Sequence, residues 1–448
     1  MFSRKFFRTN YFSRWIAGGF AMIILIGAFL LNLPCASKNH LSIGLINALF
    51  TSTSATCVTG LVIADTFQQW TLFGQLVILF LMQIGGLGFI TLGTYLLVFF
   101  RTRIGVRGRS YLKENLNALH ISGVVRLTLN VINWTFLFES IGAFLLGFRF
   151  IPQFGFWKGI YFSIFHSVSA FCNAGFDLMG INSAYSSLSA YSGDWLVNLV
   201  ITFLIIIGGL GFIVWADMEI HRFHFKKYML HSKIVLVATV FLILSGTMVY
   251  YFLERNRLFS DMPIQQQLWS SFFSSVTART AGFNTTDTAL LSEPSKLFTI
   301  LLMFIGGSPS STAGGVKTVT IAILLITLYS NLKRTEGVNI FGRRLSNNAI
   351  NMAAVVISIN LILSVMGAIL ILFFQKTTMS DTLFETFSAM GTVGLSTGVT
   401  RNLCFGSKVV IILLMYCGRL GSLTFAFIFS RGKEKAPIMQ PVEKVIVG

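Results

Sequence analysis

The sequence predicts an all-α polytopic membrane protein in which four similar repeats surround a central pore. Three observations support this fold class. The 448 residues are 54% hydrophobic and only 11% charged, and several apolar runs reach 18 residues or more, which is enough to span a bilayer. The lysines and arginines gather in a few segments between those runs. Four short semi-polar stretches, each containing a glycine at the same place, recur between pairs of apolar runs.

Internal repetition organises the whole chain. The hexapeptide IGAFLL occurs at 26–31 and 141–146, and the looser copy MGAILI occurs at 366–371. The heptapeptide IGGLGFI occurs at 84–90 and again at 207–213. Repetition at this spacing indicates that one structural unit has been duplicated along the chain.

The semi-polar stretches align on one glycine each, and each has a phenylalanine ten residues before that glycine. They are too short and too polar to span a membrane, and irregular backbone at membrane depth is tolerated only where it lines water or is buried in protein. Each repeat is therefore predicted to be an outer helix, a re-entrant pore segment and an inner helix (M1–P–M2), which gives eight transmembrane helices. The aligned pairs are Phe50 and Gly60, Phe165 and Gly175, Phe272 and Gly282, and Phe384 and Gly394.

The basic residues predict the orientation and the domain boundaries. Of 34 lysines and arginines, 22 lie in the segments 1–14, 101–126, 222–233, 331–344 and 431–444. The positive-inside rule makes those segments, and both termini, cytoplasmic, while the acids between them would attract cations to the outer face. The predicted order is N-terminus 1–14, repeat one 15–100, linker 101–123, repeat two 124–220, linker 221–232, repeat three 233–330, linker 331–348, repeat four 349–430 and tail 431–448.

The four glycine segments form the predicted cation site. A partly dehydrated cation needs several inward-facing oxygens, which backbone carbonyls can supply, and glycine permits the positive φ values that alternating carbonyl orientation requires. The last four positions of each segment carry no acid, so selectivity would rest on carbonyls. The predicted filter residues are Thr56, Cys57, Val58, Thr59, Gly60, Cys172, Asn173, Ala174, Gly175, Arg279, Thr280, Ala281, Gly282, Gly391, Thr392, Val393 and Gly394.

The stretch IGGSPSSTAGGVK, residues 305–317, predicts a break in the third inner helix, and we expect that break in one repeat of the four. Pro309 blocks helix continuation. Arg419 replaces an aligned glycine in the fourth repeat, where a charge at the bilayer centre costs about 2.5–3.5 kcal/mol; it either repels a permeating cation or pairs with loop carbonyls for structure alone. The predicted gate comprises Gly306, Gly307, Ser308, Pro309, Ser310, Ser311, Thr312, Ala313, Gly314, Gly315, Lys317 and Arg419.

Several other residues have simpler interpretations. The tandem glycines at 85–86 and 208–209 are expected to be close-packing points on inner helices, and His166 a packing residue of the second pore segment. Asp65 and Asp287 are expected to cap turns or helices. An acid inside the membrane is a functional candidate, and Glu139 is left open between packing and function.

The glycine motifs carry a resemblance to a known family. TCVTGL, CNAGF, TAGFN and TVGLS resemble the filter motifs of the Trk/Ktr/HKT superfamily of potassium transporters, and the likeness covers nearly the whole chain. A start directly at the first span is similar to the bacterial Ktr-type (KtrB-like) membrane subunit. The resemblance implies K⁺ as the transported ion through four filter glycines, Na⁺ as a candidate activator, no organic cofactor, and a mobile intramembrane loop below the filter.

The resemblance also implies partners. It suggests a homodimer in the cell membrane, on a cytosolic ring of nucleotide-binding, KtrA-like regulatory subunits. The basic loops 101–113 and 222–233 and the tail after Arg431 would serve as docking faces, although anionic lipid suits them equally; no nucleic-acid partner is expected. The alternative function is an alternating-access secondary cation transporter or symporter. An enzyme is not expected, because no G-x-S-x-G nucleophile elbow is present.

Overall fold

The described residues form a helical structure with one β hairpin, whose two strands have two residues each. The computed structural model describes residues 3–88, 91–93, 95, 123–181, 183–222, 224–335 and 337–421. Four long helices are α1 (Ser3–Asn32), α5 (Val124–Phe154), α9 (Leu230–Glu254) and α13 (Asn347–Phe374). Each is followed by a shorter helix, namely α2 (Leu45–Thr56), α6 (Phe156–Phe171), α10 (Ile264–Thr277) and α14 (Met379–Gly391).

A second apolar helix closes each set. These helices are α4 (Leu72–Leu87), α7 (Trp195–Leu210), α11 (Glu293–Phe304) and α15 (Phe405–Leu420). Smaller elements are α3 (Thr66–Gln69), α8 (Phe212–His221), α12 (Thr318–Leu332) and the hairpin of β1 (Asn339–Ile340) and β2 (Arg343–Arg344). The described helices thus repeat one order of lengths four times.

Four of the described helices are long and apolar enough to cross a membrane by themselves, and the pair α7 and α8 would make a fifth if the two are one bent span. The four are residues 14–32 of α1 and the whole of α5, α9 and α13. A predominantly helical chain with several such helices agrees with the predicted fold class. The count of eight spans and the boundaries of the nine segments stay predictions, and the 101–122 linker and the 431–448 tail lie outside the described residues.

In the first three repeats a glycine of the long helix, which in the first two belongs to the IGAFLL motif, is the crossing point with the short helix after it, whereas Gly367 of the fourth repeat lies against Leu414 of α15. A Cβ on Gly27, Gly142 or Gly246 would collide with a serine side chain of that short helix. The same serine donates a hydrogen bond to the carbonyl three residues before the glycine. These bonds join Ser52 to Ile24 at 2.7 Å, Ser167 to Glu139 at 2.6 Å and Ser275 to Ile243 at 2.9 Å. Because glycine has no side chain, the two helix backbones can approach closely, as they do at small residues in membrane helix pairs.

The expectation that only one repeat has a broken inner helix is wrong. The second repeat is also broken: α7 ends at Leu210, and α8 leaves it at an angle of 92°. The residue between them, Gly211, has φ of +96°. Gly88 and Gly421, at the aligned position, end α4 and α15 with φ of +80° and +83°. Glycine adopts this conformation readily and other residues do not, so the aligned glycine ends the helix in these three repeats, whereas α11 of the third repeat already ends at Phe304, before Pro309.

Candidate functional site

The four sequence-aligned glycines share one backbone conformation. Their φ values are +92°, +69°, +80° and +91° for Gly60, Gly175, Gly282 and Gly394. The residue two positions earlier also has positive φ in every segment, at Val58, Asn173, Thr280 and Thr392. A non-glycine residue in this region is uncommon, and a positive φ re-aims the neighbouring carbonyl groups. Four repeats with the same two unusual residues therefore have one common backbone path.

The four segments close into a ring. A Cβ placed on any of the four glycines would collide with the carbonyl oxygen of the residue just before the next glycine around the ring. Such a separation is shorter than real Cβ contacts allow. The contacts are Gly60 with Ala174 at 2.5 Å, Gly175 with Ala281 at 2.7 Å, Gly282 with Val393 at 2.6 Å, and Gly394 with Thr59. The structure thus brings together predicted filter residues that lie more than 330 positions apart in the sequence.

Hydroxyl groups from the short helices hold the ring segments, and the sequence analysis missed them. Serine occupies the position six residues before the ring glycine in three repeats, which was the available signal. Ser54 and Ser388 accept hydrogen bonds of 3.1 Å from the amides of Gly60 and Gly394. In the second repeat Ser169 instead donates to the carbonyl of Phe176 at 2.7 Å. Each bond fixes a peptide next to the ring.

His166 and Glu385 occupy the same position in two repeats and hold the chain just after the ring. His166 donates from Nδ1 to the Phe162 carbonyl at 2.7 Å, which leaves Nε2 to accept from the amide of Leu178 at 3.2 Å. Glu385 accepts from the amide of Thr397, at the aligned place, at 3.1 Å. His166 is therefore a structural residue, as expected, and Glu385 is its missed counterpart.

One cavity, called here the mouth cavity, lies against the ring. Its volume is about 310 Å³, and its lining includes all four ring glycines, three aspartates and Arg401. The aspartates are Asp65, Asp177 and Asp287. Burial raises the pKa of Asp177 to about 7. Asp65 caps α3 by accepting from the amides of Phe67 and Gln68 at 2.9 Å, and Asp287 accepts from that of Ala289. The capping roles are confirmed, and both acids also face the cavity.

The 305–317 loop, between α11 and α12, is bonded to the end of α7. Ser308 donates its amide to the Gly209 carbonyl at 3.0 Å, and Thr312 donates its amide and its hydroxyl to the Gly208 carbonyl at 3.3 and 3.1 Å. In return the amide of Phe212, the first residue of α8, donates to the Ser310 carbonyl at 2.7 Å. The backbone groups released at the break between α7 and α8 are therefore the hydrogen-bond partners of the 305–317 loop, which breaks the third repeat.

The loop also contacts the fourth ring segment. Gly314 lies against the Thr392 side chain, so that a Cβ on it would overlap the threonine hydroxyl, and a Cβ on Gly315 would lie 3.0 Å from Gly391. Lys317 closes the loop on itself by donating to the carbonyls of Ala313 at 2.6 Å and Gly314 at 3.3 Å. The remaining predicted gate residues lie in the same loop; Gly306, for example, donates its amide to the Val316 carbonyl at 2.8 Å.

Arg419 joins the loop to the first repeat. Its guanidinium donates to the carbonyls of Thr312 and Gly85, and to that of Gly86 at 3.2 Å. Thr312 belongs to the third repeat and the two glycines to the first, so one side chain links three repeats. The predicted pairing of Arg419 with a loop carbonyl is present. Whether Arg419 also repels a permeating cation stays a prediction.

The tandem glycines are close-packing points, as expected. A Cβ on Gly85 would overlap the carbonyl of Thr56, and one on Gly208 that of Phe171. Gly418 meets the Met390 carbonyl in the same way. Each of these carbonyls lies four residues before a ring glycine. The second apolar helices therefore approach the ring segments backbone to backbone.

Two buried ionisable residues flank the ring segments. Arg279, which the sequence analysis placed in the third filter segment, is 8% exposed, and its Nε has no hydrogen-bond partner among the described residues. Glu139 is 6% exposed and accepts from Gln83 at 3.3 Å and from the Cys172 thiol at 3.9 Å. The partner of Glu139 that sequence could not name is thus the α4 side chain Gln83. The contact joins the first two repeats.

Side-chain hydrogen bonds, called here clasps, join neighbouring repeats at one aligned position of the second apolar helices. Lys296 of α11 donates to Asp381 of α14 at 3.0 Å. The residue at the aligned position of α15, Lys408, donates to Asn47 of α2 at 2.9 Å. Gln75, at that position of α4, accepts from Tyr161 of α6 at 3.0 Å. These clasps tie the beginning of a short helix to the preceding repeat.

The fold and the ring together define a polytopic helical membrane protein built around four equivalent glycine segments. The family model described as TrkH, cation transport protein, matches residues 19–438. The chain belongs to this family, which confirms the resemblance to the Trk and Ktr transporters.

Individual relatives cover almost the whole chain. The potassium/sodium uptake protein NtpJ of Enterococcus hirae is 41% identical over 97% of this chain and 96% of its own length. The Ktr system potassium uptake protein B of Bacillus subtilis is 40% identical over 97% of this chain and 96% of its own length. The crystal structure of the potassium transporter TrkH from Vibrio parahaemolyticus has a TM-score of 0.72 at 19% identity, covering 92% of this chain and 85% of that one. At that identity it supports the shared fold.

Replacing Gly211 tests whether the break between α7 and α8 seats the loop. Gly211→Ala forces alanine into a backbone region open almost only to glycine, at a cost of about 1–3 kcal/mol, and its Cβ would overlap the Pro309 carbonyl. Gly421→Ala is the matched control, because Gly421 has similar φ but no atom of the described residues within 4 Å of its Cβ position. We expect a larger loss of thermal stability in detergent for Gly211→Ala. Equal losses of thermal stability in the two variants would show that backbone strain at the glycine, and not the contact with the Pro309 carbonyl, causes the effect.

Removing a clasp should loosen the contact between the third and fourth repeats. Lys296→Met leaves Asp381, whose side chain is 21% exposed, without its cation, and we expect a cost of about 1 kcal/mol, at the lower end of the range for a group that loses its partner. We expect a lower melting temperature in detergent. The control is Lys376→Met, which removes an exposed lysine. If both variants melt alike, the Lys296 clasp contributes nothing measurable.

Proposed function

We propose that this chain carries potassium ions across the cell membrane through the four-glycine ring. The ring is the observation that carries the proposal: four equivalent segments with glycine at the point of closest approach, each contributing a carbonyl beside the next. Rings of carbonyl oxygens replace the hydration shell of a cation in selective pores. The potassium uptake activity in the names of the relatives at 40 and 41% identity supports potassium as the ion.

In this proposal the filter consists of the four ring segments, and the mouth cavity is the outer approach to it. The three aspartates of the cavity would concentrate cations at the entrance. Both termini and the basic linkers would then be cytoplasmic. Each repeat is an M1–P–M2 unit, in which α2, α6, α10 and α14 are the re-entrant pore helices and eight helices span the membrane.

The 305–317 loop and Arg419 are the proposed gate. The loop lies beside the fourth ring segment through Gly314 and Gly315, and Arg419 holds the loop carbonyl of Thr312 together with two carbonyls of the first repeat. A hydrogen bond from a charged donor contributes about 1.5–3 kcal/mol. Arg419 would thus stabilise the closed position as a latch, and its charge would add repulsion to a cation at that level.

The names of the relatives suggest the partners of this chain. We propose that the chain is the membrane subunit of a Ktr-type system, as a homodimer on a ring of KtrA-like nucleotide-binding subunits, with sodium as an activator. The word "system" in the relatives' names supports a partner subunit. Potassium uptake by the chain alone and with a candidate regulatory subunit, at several external sodium concentrations, tests these three points.

An alternating-access cation transporter is the second candidate, because its substrate sites are built from broken helices. The 92° bend between α7 and α8 and the 305–317 loop are such breaks. Alternating access predicts flux that saturates at a low turnover and depends on a coupling ion. A flux that rises with the driving force without a coupled ion favours the pore.

The gate proposal predicts higher potassium flux when the latch is removed. Arg419→Ala, or deletion of residues 308–314, should raise potassium uptake by about tenfold, because losing one charged hydrogen bond already shifts an equilibrium by that factor. Uptake is measured in cells that lack their own potassium transport, at matched expression. Unchanged uptake contradicts the gate. Arg419→Lys separates the two roles: the charge remains, so low uptake would indicate repulsion and high uptake a latch.

The filter proposal predicts a change of selectivity at Gly60. Gly60→Ser adds a Cβ 2.5 Å from the Ala174 carbonyl, so the ring must rearrange and lose its match to potassium. We expect the sodium-to-potassium permeability ratio to rise severalfold in proteoliposome flux measurements. Gly398→Ser is the control, because Gly398 also has positive φ, +99°, but no described atom lies within 4 Å of its Cβ position. The same ratio in both variants would count against the ring as the filter.

A further inference from the structure

The loop that follows the second ring segment lines part of the mouth cavity and forms hydrogen bonds with the first and third repeats. It runs from Asp177 to Asp194, between α6 and α7. Tyr185 donates its amide to Asp65 at 2.7 Å and its hydroxyl to the Ile63 carbonyl at 3.0 Å. Further along, the amide of Leu188 donates to the Asn284 carbonyl at 3.0 Å. Tyr185 is thus held at a fixed place beside the cavity.

The fourth repeat contributes a cation to this loop. The guanidinium of Arg401 lies 4.0 Å from the centre of the Tyr185 ring, a distance at which a cation is attracted to an aromatic face. Arg401 lines the same cavity as Asp65, Asp177 and Asp287. Because Tyr185 binds Asp65 through its amide and Arg401 through its ring, it holds the exposed Arg401 side chain beside the cavity that the three aspartates line.

We infer that Arg401 is a specificity-determining residue of the mouth, which keeps divalent cations from occupying the approach to the ring. The inference rests on the proposed function, because it concerns which ions reach the filter. The carboxylates are not proposed as a resident metal site. They make the cavity attractive to every cation, and Arg401 sets how strongly that attraction depends on ionic charge.

The discrimination follows from Coulomb's law. Across about 8 Å of water, one positive charge lowers the occupancy of a monovalent cation by roughly 2.5-fold and that of a divalent cation by the square of this factor, roughly sixfold. Mg²⁺ and Ca²⁺ also prefer carboxylate oxygens as ligands. A fixed arginine therefore reduces potassium entry slightly and divalent occupancy much more. Screening by salt weakens both effects.

The test measures potassium uptake in cells that lack their own potassium transport, at fixed ionic strength and with increasing external Mg²⁺. The external pH is 8, so that Asp177, whose pKa burial raises to about 7, is mostly ionised. For Arg401→Gln we expect the half-saturating potassium concentration to fall roughly 2.5-fold and the half-inhibiting Mg²⁺ concentration to fall roughly sixfold. Arg401→Lys keeps the charge and should behave as the wild type. Lys376→Gln makes the same change of charge at an exposed residue outside the cavity lining, and should also behave as the wild type.

A second variant keeps the inference testable if Arg401→Gln does not fold. Asp287→Asn removes one negative charge from the cavity, while asparagine can still cap the turn that Asp287 caps. It should shift both concentrations in the opposite direction, again with a larger change for Mg²⁺.

The outcomes separate this inference from the proposed function. If the wild type takes up no potassium, the proposed function fails. If the wild type does so and Arg401→Gln leaves Mg²⁺ inhibition unchanged, or shifts potassium and Mg²⁺ by the same factor, the role of Arg401 is wrong and the potassium function stands.

Discussion

The closure of the four-glycine ring is the constraint on which the rest of the structure depends. Each glycine Cα lies where any side chain would meet a carbonyl of the next segment, so four short helices must end at one level and at one radius. The serine, histidine and glutamate contacts around the ring maintain that level. The apolar helices must then approach just behind the segments, which is why Gly85, Gly208 and Gly418 lie against backbone carbonyls.

A second constraint concerns the backbone groups that the broken helices release. Inside a membrane protein, a helix that stops leaves amides and carbonyls that need partners. Here the backbone groups released at one break form hydrogen bonds with those released at another. The end of α7 accepts hydrogen bonds from the 305–317 loop, and the start of α8 donates one to it. Arg419 binds carbonyls from the loop and from α4. A loop held by exchangeable polar contacts can move without burying unpaired groups, provided that water or other partners replace them.

The sequence predicted the features that recur in several repeats. It did not predict the roles of residues that occur in one repeat only or that act through a partner distant in the sequence. The ring glycines and the tandem glycines appear at fixed offsets in several repeats; the structure brings the ring glycines together and packs the tandem glycines closely, and the filter role of the ring stays a prediction. Arg419 has one occurrence, so its pairing with the loop could be foreseen but its partners in the first repeat, the carbonyls of Gly85 and Gly86, could not. The breaks at Gly88, Gly211 and Gly421 were missed because those glycines lie inside apolar runs, where hydropathy continues although φ does not stay helical. The role of Glu385 could have been found by aligning it with His166.

The four repeats lie in one chain, and this has a consequence for how such a protein can diversify. In an assembly of four identical subunits, every substitution appears four times around the axis; a bulky loop would crowd the centre in quadruplicate, and a single arginine would become a ring of four charges. Tandem linkage removes that restriction. One repeat can carry the 305–317 loop, another the arginine and a third the long loop between α6 and α7, while the shared geometry of the ring is kept. His166 and Glu385 illustrate the same freedom, since one architectural position is filled by two unrelated chemistries.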